Sequence, residues 1–207
     1  MDEVHEFCQR VLGAGAAAAD AAVEARAGAK QGIGRVEMLA AAARACRARA
    51  GLPYVDQGVA PEGESHDLGL TAAVARELAQ ANAGLPERQR EALVLRELLR
   101  LSYEEMSQVM GVEEAPVAAL LARARLALRV ERRGVSTQEG ADCAERDRAL
   151  RVLARRHDSE SLSGEDDEWL LDHLGVCPRC IAAHAAMLEA SACYRAWPAG
   201  SVPGEAE

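Results

Sequence analysis

Three residues near the C-terminus have types and spacing suited to one reaction, the binding of a metal ion. His173, Cys177 and Cys180 stand as H-x3-C-x2-C in HLGVCPRC. Two thiolates two residues apart can share one tetrahedral zinc, and the imidazole four residues earlier reaches the same ion if Gly175 bends the chain and Pro178 opens a new helix. The spacing therefore predicts a helix ending near the histidine, a break, and a second helix carrying the last thiol. Ahead of the trio, Ser163 to Asp166 reads as a helix start bearing Trp169, Leu170 and Leu171; after it, residues 181–194 are amphipathic.

Other chemistries are poorly served. The chain has no HExxH, no G-x-S-x-G and no glycine-rich phosphate loop after a strand. The acidic run Glu165 to Glu168 fits a helix N-terminus better than an acid/base pair. No enzyme is expected. The six cysteines sit in a chain without a run of about 18 apolar residues and with an acidic start, MDEVHEFCQR. These features predict a cytoplasmic protein with no membrane contact, whose cysteines are thiols or ligands rather than a disulfide framework. Cys8, Cys46 and Cys193 read as small buried side chains.

The elements that must position such a site are helical. Ala, Leu, Arg and Glu dominate, apolar residues make up 49% and aromatics 3%, and no period-2 run is sustained, which predicts an all-α protein without aromatic base-stacking platforms. The sharpest local pattern lies in residues 85–129, LPERQREALVLRELLRLSYEEMSQVMGVEEAPVAALLARARLALR. Pro86 opens a helix whose apolar face carries Ala92, Leu93, Leu95, Leu98 and Leu99. Ser102 and Glu105 form an S-x-x-E capping box, with Tyr103 just inside the helix they start. Gly111 ends that helix and supplies a left-handed turn, Val112 packs back into the hinge, and Glu113 or Glu114 opens a third helix. The pattern is a helix-turn-helix.

This segment resembles region 4 of extracytoplasmic-function sigma factors at LPERQREALVLRE, LSYEEM, VMGV and RARLALR, over roughly 60 residues. The resemblance implies a transcription regulator that docks on RNA polymerase and reads promoter DNA. The third helix departs from the family where it would enter DNA. It begins with Glu113, Glu114, Ala115, Pro116, Ala118, Ala119 and Leu120, which repel phosphates or make no base contacts. Residues 71–133 hold ten Arg against nine Glu, far from a basic footprint. Contact with DNA would then fall to Arg123, Arg125 and Arg129, with Arg132 and Arg133 following; a solvated face is the alternative. Leu93, Leu98, Val109 and Leu121 suit either a polymerase contact or the core.

Residues 1–50 are Ala-rich, with breaks at Gly13 to Gly15 and Gly28 to Gly34, and are similar to a shortened sigma region 2. Their last helix carries Met38, Ala40 to Ala43 and Cys46, with only Arg44, Arg47 and Arg49 basic, so promoter melting is not expected of it. Residues 51–70 read as a flexible linker that lets the two modules move independently. A second linker covers 134–142. Residues 143–196 resemble a zinc-binding anti-sigma domain, with 197–207 as a tail. That resemblance implies an upstream ligand, and Cys143 is the favoured fourth one: it stands about one helical turn further from the histidine than the family's spacing. His157 and His184 are rivals. Residues 134–207 hold 7 basic and 14 acidic residues of a whole-chain net charge of −9, which suits them to fold back on the arginines of the third helix. The whole reads as a sigma-like regulator with a regulatory zinc domain in cis; the alternative is an anti-sigma-like interaction module that binds another sigma factor or polymerase without DNA.

Overall fold

The computed structural model describes residues 2–29, 32–49, 51–52, 72–134 and 143–197, and every regular element among them is a helix. In chain order these are α1 (Glu3–Leu12), α2 (Ala16–Ala27), α3 (Arg35–Arg47), α4 (Ala72–Gly84), α5 (Glu87–Leu93), α6 (Tyr103–Met110), α7 (Glu114–Arg133), α8 (Arg146–His157), α9 (Gly164–Val176) and α10 (Pro178–Ala196). The protein is all-α. No described helix is long and apolar enough to cross a membrane.

The N-terminal helices form a compact trio whose breaks fall at the two glycine clusters. Asp2 caps α1 by accepting from the Val4 amide at 3.1 Å. On α2 the buried residues Ala18, Ala21, Ala22 and Ala25 recur at helical spacing, so the helix presents a stripe of methyls to its neighbours. Small side chains let backbones approach closely, and α3 answers with Leu39, Ala42, Ala43 and Cys46.

The helix-turn-helix forms as its sequence predicts. Ser102 accepts from the Glu105 amide at 3.1 Å while the Glu105 carboxylate accepts from the Ser102 amide at 2.8 Å, closing the capping box. Gly111 adopts φ 67°, ψ 39°, the left-handed geometry that a glycine takes at no steric cost. Val112 packs on the core and Glu113 precedes α7. Leu93, Val109 and Leu121 are buried and Leu98 packs against them, so these four serve the core. One feature was not anticipated. After α5 the chain continues through a π-helical turn, Val94–Leu98, and then Arg100 takes a positive φ of 58°.

The linker reading predicts two modules that move apart, and the packing corrects it. Phe7, Leu39, Leu78, Leu93 and Leu121 belong to one apolar cluster spanning α1 to α7. Polar bonds tie the same surfaces: Arg90 donates to the Val11 carbonyl at 2.6 Å, Asn82 to the Arg10 carbonyl at 2.9 Å, and Arg35 to the Leu99 carbonyl at 2.7 Å. Glu91, 1% exposed, joins Arg47 of α3 to Arg88 of α5, each at 2.8 Å. Separating the modules would expose all of these together. Residues 53–71, which take in all of that linker but Gly51 and Leu52, lie outside the described residues.

The C-terminal helices fold back on α7, and α10 runs on into the larger core, where Tyr194 and Trp197 are buried. Trp197, expected in a tail, accepts from Arg10 through its carbonyl at 3.0 Å and lies 3.7 Å under that guanidinium. It is an anchor.

Candidate metal centre and buried charge cluster

The sulfur and nitrogen atoms of Cys143, His173, Cys177 and Cys180 lie within 4.8 Å of one another. His173 Nε2 is 3.5 Å from Cys143 Sγ and 3.2 Å from Cys180 Sγ, and the latter two sulfurs are 3.9 Å apart. Zinc–ligand lengths of about 2.3 Å to sulfur and about 2.0 Å to nitrogen require tetrahedral edges of about 3.8 Å between sulfurs and about 3.5 Å between sulfur and nitrogen. The donor set therefore has the size and chemistry to hold a metal ion. Cys143 completes the set. His157 and His184 lie outside it.

The local fold explains the convergence. Ser163 caps α9 by accepting from the Asp166 amide at 3.1 Å. Trp169 stacks on His173 at 4.9 Å, one turn apart on the same helix, and Arg148 lies 4.2 Å over the indole, so the imidazole is held between fixed neighbours. The chain does not bend at Gly175, as the spacing had suggested. Helix α9 runs through it to Val176, and the break is at Cys177, with φ −115° and ψ 91°. The residue before a proline is pushed out of the helical region, and Pro178 then starts α10. Cys177 thus sits at a helix N-terminus, where the Cys180 amide chiefly holds its thiol below the usual range. Cys180 is pushed up to about 12, first by burial and then by its crowding against Cys177 and Cys143.

A second constellation, absent from the sequence reading, joins the helix-turn-helix to the C-terminal helices. Arg125, fully buried on α7, contacts Asp158 through both terminal nitrogens at 3.0 and 2.6 Å and Glu97 of the π-helical turn at 2.8 Å through Nε. Tyr103 donates to Asp158 at 2.7 Å, Ser191 donates to Glu97 at 2.9 Å, and Arg195 donates to Glu97 at 2.6 Å. Burial opposes the charge on Asp158, yet the Arg125 guanidinium and the Tyr103 hydroxyl outweigh it and hold the carboxyl below its usual range. The Tyr103 hydroxyl is pushed up by burial and by that carboxylate.

This geometry corrects the expected DNA contacts. Arg125 has no exposed surface and is closed between two carboxylates, so in this arrangement it meets no phosphate. Arg129 is ion-paired to Glu189 at 3.0 Å and Arg133 also reaches Glu189. Arg123 remains at the surface, 3.1 Å from Asp147. Cys8 and Cys46 are buried as expected, whereas Cys193 is half-buried with Arg132 at 3.1 Å. One signal for Glu97 was present: a carboxylate inside the apolar run Val94 to Leu99 has to find a buried partner.

Residues 75–128 match the family model described as Sigma-70, region 4, so the chain carries a sigma-factor-like region there. No curated protein and no solved structure matches the chain.

Proposed function

We propose that the chain is a non-enzymatic transcription regulator acting at initiation through RNA polymerase, in which a zinc-binding C-terminal domain, residues 143–196, holds the sigma-like region in cis. The observation that carries this reading is Arg125. It lies within the region 4 match, and Asp158 of the C-terminal helices closes on it. The fold-back is reinforced where Glu189 meets Arg129, the outcome expected from the opposite charges of the two segments. Cys143, His173, Cys177 and Cys180 are the residues that would hold zinc, and the ion, when bound, supplies a tetrahedral cross-link between the start of α8 and the α9–α10 break. Residues 1–50 serve as a sigma region 2-like support rather than a strand-opening module.

The test uses the full chain and purified polymerase. Protein prepared without added zinc should carry one zinc per chain, and His173→Ala should lower that content. Stripping the metal should increase retention of the chain on polymerase and its effect in run-off transcription. A folded, empty C-terminal domain would remove zinc from the reading; unchanged polymerase binding would remove the regulation in cis.

A second reading is favoured by the start of α7. Glu113 and Glu114 put carboxylates at the helix start where a sigma region 4 would meet DNA, Glu114 pairs with Arg155 of α8 at 3.6 Å, and Arg125 is buried. The chain would then act as an anti-sigma-like module that binds another sigma factor. Capture of such a factor without promoter binding supports this reading over the first.

A further inference from the structure

A cleft of about 260 Å³ opens where the π-helical turn meets α8 and α10, lined by Arg96, Arg100, His157, Asp158, Ser159 and Arg195. Three independent features mark it. The first is backbone strain: Arg100 and Ser159, each with φ 58°, are the non-glycine residues with positive φ among those described, and both line this cleft. Such geometry costs free energy and persists where the surroundings enforce it, commonly at ligand sites. The second is the π-helical turn that carries Arg96 to the wall, an irregularity that recurs at functional sites.

The third is the charge left over. Asp158 is engaged by Arg125 and Tyr103, Arg96 by the Asp158 carbonyl and Glu160, and Arg195 by Glu97 through Nε. Arg100 is exposed and has no ion pair or hydrogen bond among the described residues. Of the three guanidinium groups in the cleft, Arg96 is thus met by Asp158 and Glu160 and Arg195 by Glu97, which leaves Arg100 as the cation without a carboxylate among the described residues.

We propose that this cleft binds a small multivalent oxyanion, a phosphate- or carboxylate-bearing metabolite, between Arg100 of the helix-turn-helix unit and Arg195 of α10. A planar guanidinium can meet two oxygens of a carboxylate or of a phosphate through paired N–H donors. A concave site at the seam between two units suits a small ligand, and binding there tightens the contact between the sigma-like region and the C-terminal helices. The site depends neither on the metal cluster nor on DNA recognition.

The full chain, as purified, is titrated with inorganic phosphate and separately with succinate, neither a strong zinc chelator, at constant ionic strength held by NaCl. Calorimetry and thermal melting are read together. Saturable binding with a rise in melting temperature is expected for at least one anion, and the preferred one assigns the class. Arg100→Ala should weaken binding about tenfold, the loss of a charge-assisted bond, while Arg151→Ala, in a separate cleft with Arg148 and Arg155, leaves it unchanged. Arg100→Gly should raise the melting temperature without ligand, by relieving the strain, and still lose the anion; Ser159→Gly should raise it and keep binding. Shifts no larger than those from matched NaCl, or wild-type affinity in Arg100→Ala, overturn the proposal. Loss of duplex DNA binding in Arg100→Ala, without any phosphate or succinate saturation, overturns it in favour of a nucleic-acid contact.

Discussion

Among the described residues, the larger apolar cluster gathers 37 buried ones, Phe7, Leu78, Leu93, Leu101, Tyr103 and Leu121 included, whereas the smaller one, under the C-terminal helices, gathers 12, with Leu150, Leu153, Leu170 and Met187 at its centre. It also borrows Ala122 and Leu126 from α7. Each fully buried Leu or Phe side chain is worth about 1.5–3 kcal/mol, so the larger cluster holds most of the apolar stabilisation. One region thus supplies most of its own core, with Tyr194 and Trp197 added from α10 and its end. The other leans on the second face of α7 and a buried charge clamp, to which the proposed zinc would add a cross-link through Cys143, His173, Cys177 and Cys180. A domain with so little core is stable only in place, which makes its attachment to the helix-turn-helix sensitive to anything that loosens it.

The two regions should differ most in their response at the metal cluster. A structural zinc contributes on the order of 10 kcal/mol to the folding of a small domain. Chelation, or Cys180→Ala, should therefore abolish amide protection across residues 143–196 in hydrogen exchange while α1–α7 keep theirs. Equal loss in both regions would show that the two clusters fold as one.

The charge clamp comes next. Asp158→Ala leaves Arg125 buried against Glu97 alone and should lower stability in urea denaturation by about 3–5 kcal/mol, because an uncompensated buried charge is strongly disfavoured. Replacing the group with apolar side chains, as in Arg125→Met with Glu97→Leu and Asp158→Leu, should recover most of that loss. If Asp158→Ala costs no more than an exposed pair, under about 1 kcal/mol, the clamp does not hold the regions together.

Two glycines sharpen the contrast at smaller scale. Gly111, at φ 67°, should lose about 1–2 kcal/mol on replacement by alanine, since a Cβ strains the left-handed conformation. Gly175 lies inside helix α9 with nothing within 4 Å of an added Cβ, so Gly175→Ala should stabilise the C-terminal helices by up to about 1 kcal/mol. Thermal melts of the two variants should move in opposite directions.

The smallest effect is a pH slope. Burial, aided by the Arg125 charge, lowers the folded-state pKa of His157 from its ordinary value of 6.5. The folded state then binds fewer protons than the unfolded one, so this contribution is present above about pH 6.5 and is lost as pH falls from there towards the lower folded value. Because the Asp158 and Glu97 carboxylates oppose the shift, the effect should stay below about 1 kcal/mol. His157→Gln should flatten the slope in melts between about pH 7.5 and 5.5; an unchanged slope would assign it to another group, such as His184, whose pKa burial also lowers.

Most of the helices were legible because their boundaries are local chemistry. Ser102 with Glu105, Gly111, the glycine clusters and Pro178 each act on one or two turns of backbone, so their types and spacing suffice. The metal cluster was legible in part for the same reason: His173, Cys177 and Cys180 are neighbours along the chain. Cys143 followed from a resemblance, because nothing within residues 143–173 fixes how α8 and α9 cross.

By itself, then, the sequence determined an all-helical chain, the helix-turn-helix frame and a metal-sized trio of donors, since periodicity, caps and ligand spacing are short-range. Only the tertiary structure decided that Arg125 is a buried clamp rather than a surface contact. The sequence places it on a helix with alternating Arg and Ala, and either face of α7 would have been acceptable until Glu97 and Asp158, 28 and 33 residues away, arrived on one of them. It also decided that residues 1–50 share a core with the helix-turn-helix, because a flexible-looking linker limits only how far two modules can separate, whereas complementary apolar faces decide whether they do.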